Sequence, residues 1–147
     1  MDLRMIMFNN KQAAELIAKQ VSIAYNPVMD VCIARVKHGE LLGGVIYQMF
    51  NGVSAVAHVA SSGNKKWLNR DMLWIIFHYP FVQVGLHKLI GIVGSTDIAT
   101  LKFDANLGFT EECRIKDAAP FGDVIILTMA KHQCRFLDLR PDNYKLI

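Results

Sequence analysis

The sequence predicts one α/β (α+β) domain, and three observations carry that prediction. The chain has 147 residues, of which 52% are apolar and 20% charged, the balance of one globular domain with one core. Three strand-like segments follow one another between residues 31 and 60, joined by turn signals. A strand–helix–strand unit then spans residues 88–116, with Leu107-Gly108-Phe109 between its helix and its last strand.

The elements follow in order. Asn9 or Asn10 caps a helix over about residues 11–21, in which Ala13, Leu16, Ile17 and Val21 recur at helical spacing. Asn26-Pro27 closes that region. Residues 31–36 read as a strand, Lys37-His38-Gly39-Glu40 as a tight turn, and 41–50 as a second strand. Gly43-Gly44 marks a bulge or a close backbone approach. Asn51-Gly52 is a two-residue hairpin signal before a third strand over 53–60, so the three strands form an antiparallel meander. After the loop Ser61–Asn69, a helix runs from Arg70 to Tyr79. Asn69 caps it, Asp71 complements its dipole, and Pro80 ends it. Then come strand 88–94, helix 97–107 stopped by Gly108, strand 109–116, a turn at Pro120-Phe121-Gly122-Asp123 and strand 124–131. Residues 138–147 read as a loosely packed polar tail of a single domain, 1–147.

Composition narrows the function. Three cysteines (Cys32, Cys113, Cys134) have neither CxxC nor metal spacing, so reduced thiols in the cytoplasm are expected. His78, His87 and His132 lack ligand spacing, and no metal is expected. No apolar run reaches about 18 residues, so no membrane span or membrane partner is expected. Net charge is +3 and the isoelectric point about 8.8. That suits an anionic ligand better than nucleic acid, which calls for a dense basic stripe. Lys65, Lys66 and Arg70 form the only close basic group. A mean hydropathy of +0.24 is compatible with apolar surface buried in a homodimer.

Four segments carry a family resemblance: Tyr79-Pro-Phe-Val-Gln-Val-Gly-Leu-His-Lys88, Lys102-Phe-Asp-Ala-Asn-Leu-Gly-Phe-Thr-Glu-Glu112, Gly122-Asp-Val-Ile-Ile-Leu-Thr-Met129 and Cys134-Arg-Phe-Leu137. In this element order they resemble the GNAT superfamily of N-acetyltransferases over most of residues 30–137. They look closest to phage-encoded and bacterial members near the ribosomal-protein N-terminal acetyltransferases, which would place a phage-encoded chain in the host cytoplasm. The resemblance implies a central mixed, largely antiparallel twisted sheet of six to seven strands with helices on both faces. It also implies a splay between strands four and five, and acetyl-CoA as the acyl donor.

The implied site residues can be set against their chemistry. A pyrophosphate needs backbone N–H donors at a helix N-terminus. The family supplies them from a loop of the form Arg/Gln-x-x-Gly-x-Gly/Ala. Here that loop is Lys65-Lys66-Trp67-Leu68-Asn69-Arg70, without either glycine, and direct charge pairing by the three basic residues would offset the loss. The alternative is a solvated basic loop. The pantetheine arm would pair with the fourth strand around His58, Val59 and Ala60, which fit an ordinary core strand equally well. Asp97 stands where the family often has Asn. It would accept from a pantetheine N–H, with Thr100 one turn on, or serve only as a helix cap. His58 is the candidate base for the acceptor amine, against the alternative of a structural strand histidine. Where many relatives place a tyrosine acid for the CoA thiolate, this chain has Asp104. A carboxyl donates there only if burial raises its pKa strongly, so solvent is expected to protonate the thiolate.

The reaction expected is therefore direct attack of an amine on the thioester of acetyl-CoA. Backbone N–H groups near Val59 would hold the oxyanion, and His58 would remove the proton. The acceptor class is a protein N-terminus, a lysine or a small-molecule amine. The alternative is a non-catalytic GNAT-fold module that binds CoA or a host protein.

Overall fold

A computed structural model gives the structure of the chain and describes residues 5–63 and 67–141. In chain order the elements are β1 (Ile6–Phe8), α1 (Lys11–Val21), β2 (Val31–Lys37), β3 (Glu40–Gln48), β4 (Ser54–Ser61), α2 (Arg70–His78), β5 (Lys88–Gly94), α3 (Ile98–Leu107), β6 (Thr110–Ala119) and β7 (Gly122–Ala130). They form one seven-stranded sheet in the order β1-β2-β3-β4-β5-β7-β6. All neighbours are antiparallel except β4 and β5, which are parallel. The short edge strand β1 was not legible as a strand: three residues are too few to show a period.

The sheet is covered on both faces. On one face α1 lays Ala13, Ala14, Ile17 and Ala18 over Cys32, Ala34, Ile46 and Ala60. Small residues on the helix let it lie close, while Leu16, expected on this stripe, is exposed. Asn10 caps α1 by accepting from Ala13 N–H at 2.9 Å. On the other face Trp67, α2 and residues from α3 pack over Ile33, Val45, Tyr47, Leu89, Val93, Ile125, Leu127 and Met129. The aromatic residues Trp67, Trp74, Phe77 and Phe81 belong to this core.

Gly43 and Gly44 mark a close approach, and the bulge lies elsewhere, between Arg35 and Val36. A Cβ at Gly43 would run into the Trp67 indole. One at Gly44 would come within 2.6 Å of Ile17 Cδ1 and 2.7 Å of the Ile33 carbonyl oxygen. The pair therefore lets β3 be gripped from both faces at once.

Two expected breaks are corrected. Asn51-Gly52 does not make a two-residue hairpin, because β3 and β4 pair only as far as Gln48↔Val56. Asn51 instead accepts from Val53 N–H and Ser54 N–H, at 2.9 and 2.8 Å. With Met49 left-handed at φ 58°, the turn widens and the register shifts by one residue. Nor does Pro80 end the helical path. α2 stops at His78, but Tyr79–Gln83 continue as a π-turn, closed by Val84 N–H to Tyr79 O at 2.9 Å. Proline has no N–H for the Ile76 carbonyl four residues back. The buried Tyr47 hydroxyl donates to that carbonyl instead, so the group is not orphaned. The start of the tail is also held: Leu139 packs on the core and its carbonyl accepts from Arg70 Nε at 3.2 Å.

Gly44→Ala tests the close approach. The intruding methyl meets backbone at Ile33, which cannot swing aside, so the variant should lose about 1–3 kcal/mol of unfolding free energy in urea. A loss below about 0.5 kcal/mol would show that the sheet and α1 separate easily.

Candidate active site

β4 and β5 are paired only at Ser54↔Lys88, Ala55↔Leu89 and Val56↔Ile90. Beyond Val56 and Ile90 they part. The backbone directions follow from two hydrogen bonds. Ser62 N–H donates to Leu42 O at 3.0 Å, and His87 N–H donates to Val53 O at 2.8 Å. In an antiparallel ladder every second residue bonds to the same partner. His58 and Ala60 therefore turn their backbone groups to β3, while Val59 turns both of its groups into the gap. At the wide end Gln20, in the last turn of α1, closes the gap by donating its Nε2 to Ser61 O at 3.0 Å.

The gap is a cleft of about 520 Å³, within the range of small-ligand sites. It is lined from both faces of the sheet. Gln20, Val21 and Ser22 border it from α1, Ala57, His58, Val59 and Ser61 from β4, and Gly91, Ile92, Val93 and Gly94 from β5. Asp97, Ala99, Thr100, Phe103 and Asp104 complete it from the α3 side. Gly91 and Gly94 put no side chain into it.

His58 stands opposite Ile46, on the face that α1 covers. Burial lowers its pKa below the usual 6.5, with the Asp30 carboxylate opposing that shift. The imidazole is therefore neutral at pH 7 and able to take a proton. Among the described residues, no side chain hydrogen-bonds to its ring.

α3 brings two carboxyls to the opposite wall. Asp97 caps the helix, accepting from Thr100 N–H at 3.2 Å through Oδ1. It also lines the cleft with Thr100, so capping the helix does not remove it from the cleft. Asp104 is only 7% exposed. Burial, with the Asp97 charge adding to it, pushes its pKa from 3.8 to about 6. The condition for proton donation from this position is met in part, where solvent alone was expected. Gly91 faces that carboxyl: a Cβ there would lie 3.5 Å from Asp104 Oδ2, in ordinary contact.

The other expected residues that the structure describes lie away from the cleft. Ala60 is buried under α1 and paired to Gly44. Trp67 is 2% exposed, against Gly43. Leu68 packs on the core. Asn69 spends its side-chain oxygen on Met72 N–H at 3.0 Å as the α2 cap, and Arg70 points to the tail. Lys65 and Lys66 lie outside the described residues. In place of these, Gln20, Ala57, Gly91, Phe103 and Asp104 line the cleft. The two β5 glycines were the readable signal, since Gly in a strand interior often marks a place that a ligand can approach closely. Gln20 had none, because its partner is 41 residues away.

No family model matches the chain, and no curated protein matches it in sequence. Solved structures do. A point mutant of the spermidine N-acetyltransferase SpeG from Vibrio cholerae superposes with a TM-score of 0.69 at 14% identity, over 92% of this chain and 98% of that one. Mutant forms of the spermidine/spermine N-acetyltransferase SpeG from the same organism give 0.60 at 18%, over 82% and 76%. A dodecameric structure of the Vibrio cholerae spermidine N-acetyltransferase gives 0.65 at 14%, over 87% and 95%. At these identities the likeness is one of fold. The chain has the GNAT fold, with its mixed sheet and its parting between strands four and five.

The raised pKa of Asp104 has a measurable consequence. The folded chain holds this proton more tightly than the unfolded chain. The group's contribution to stability is complete below pH 3.8 and is lost as pH rises through about 6. The difference is worth up to about 3 kcal/mol. Asp104→Asn should therefore raise the melting temperature by several degrees at pH 8, with no comparable rise at pH 4. Equal shifts at both pH values would contradict the assignment.

Proposed function

We propose that this chain, as a single domain over residues 1–147, is an acetyl-CoA-dependent N-acetyltransferase. The observation that carries the reading is the unpaired backbone of Val59, facing a cleft that passes through the sheet between a neutral histidine and a buried carboxyl. An extended amide-bearing arm is what such an edge accepts, by adding as a strand. When bound, acetyl-CoA supplies an acetyl group on a thiol leaving group.

The chain's residues then have distinct tasks. Val59 offers its N–H to the charge that develops on the acetyl oxygen, a preorganised donor that needs no rearrangement. Thr100 and Asp97 border the arm from α3. The N-terminal end of α2 takes the pyrophosphate on the backbone N–H groups of the loop Lys65, Lys66, Trp67, Leu68, Asn69 and Arg70, since the Trp67, Leu68 and Asn69 side chains are engaged elsewhere, and the basic residues offset the missing glycines. The acceptor amine reaches the cleft from the α1 face, where His58 stands. His58 takes the amine proton as the N–C bond forms and the C–S bond breaks. Asp104, protonated in a fraction of molecules at neutral pH, donates to the departing sulfur from the opposite wall, and solvent returns its proton.

The acceptor is an amine of a protein N-terminus, a lysine or a small molecule. The names of the structural neighbours make spermidine the first to try, with peptide N-termini beside it. The test is calorimetry with CoA up to millimolar concentration, followed by acetyl transfer to that amine panel. Binding and turnover are expected. Turnover in His58→Ala should fall roughly 10²- to 10⁴-fold with CoA affinity kept. Absence of CoA binding would sink the reading. CoA binding without thioester consumption would instead favour the non-catalytic binding module, which the missing loop glycines also suit.

A further inference from the structure

We infer that Asp30 is the positioning residue of this site: it acts through His58, holding a negative charge behind the imidazole that stabilises the ring when it carries the acceptor's proton.

Asp30 lies just before β2 and is 8% exposed. Its Oδ2 accepts from the Asn26 N–H and from Gln48 Nε2, both at 2.8 Å. Gln48 is itself anchored, since the same Nε2 donates to Ala24 O at 2.8 Å. Among the described residues no Lys or Arg pairs with Asp30. Both partners of Oδ2 are neutral donors, and they fix the carboxyl group in place just before β2.

The sheet register brings that charge to His58. Ile46 stands opposite His58 and Gln48 opposite Val56. Gln48 is therefore the diagonal neighbour of His58 on the same face, within reach of long side chains, and it holds the carboxylate over that face. Other titratable groups around this pocket do not compete. The Cys32 thiol, on β2, is pushed up to about 12 by burial, and burial also raises the Tyr25 hydroxyl; both are neutral at pH 7. Asp97 and Asp104 line the cleft from α3, whereas His58 stands on the α1 face, where the Asp30 charge opposes the effect of burial on the ring. Burial weakens His58 as a proton acceptor, and Asp30 restores part of that affinity. A base too weak to hold the amine's proton is a slow one.

Part of this rests on the proposed acetyl transfer, so the experiment has two readouts. The first needs no turnover: NMR titration of the His58 ring in the intact chain. Asp30→Asn keeps an acceptor for both N–H donors and removes the charge. Its His58 midpoint should move to lower pH, while Asp30→Glu should stay near the parent. Should Asp30→Asn not fold, the parent chain still answers, because the Asp30 carboxyl carbon must then shift at the His58 midpoint. The second readout is the acid limb of kcat/KM. It should move to lower pH in Asp30→Asn, with the plateau reduced roughly three- to tenfold. An unmoved His58 midpoint overturns the inference, and so does a moved midpoint with an unmoved acid limb. Absence of acetyl transfer in the parent chain defeats the proposed function alone, and the midpoint still decides whether Asp30 governs the His58 proton.

Discussion

Strands β4 and β5 are held together by three parallel positions and then obey different partners. β3 fixes the direction of β4 over six positions, Gly43–Gln48 against Val56–Ser61. β7 fixes the direction of β5 over seven, Lys88–Gly94. Two antiparallel halves of the one sheet thus meet along a short seam. The parting of β4 from β5 beyond that seam is what exposes the Val59 backbone. Filling the gap with more pairing would close the cleft.

The packing around the seam keeps it from healing. On one face Trp67 presses on Gly43, and on the other Ile17 lies over Gly44, so β3 cannot slide. Gln20 ties the end of β4 to α1 at Ser61. Tyr47, buried beneath α2, occupies the carbonyl that Pro80 leaves unbonded. Against this rigid frame the cleft keeps groups that cost stability: a carboxyl at Asp104 with its pKa raised, and a desolvated imidazole at His58. Strain of that kind persists where surrounding structure over-determines it, and it gathers at functional sites.

Much of this was legible in the sequence. The meander, helix α3 with its Asp97 cap, and the Gly108 stop all follow from local rules: side-chain period, capping chemistry and left-handed glycine. Gly108 takes φ 111°, as a helix stop requires. His58 and Val59 lie where the family resemblance placed them, at the parting of the strands. What was not legible depends on long-range partners. Ala60 and Trp67 read as cofactor contacts because sequence position alone does not say which face or edge a residue presents. One step along β4 separates Val59, open to the gap, from Ala60, sealed under α1. The burial of Asp104 could not be read either, because it is a property of the packed α3–β5 contact. Asp30 drew no attention because its partners, Gln48 and His58, come from strands 18 and more residues away.

The central claim is that the open β4 edge at Val59 is where the acyl carrier binds. Amide hydrogen exchange, residue by residue with and without saturating CoA, tests it most directly. The account predicts that the Val59 amide exchanges readily in the free chain and gains protection when CoA is added, while Val56, already inside the paired seam, changes little. CoA binding that leaves Val59 unprotected would contradict it.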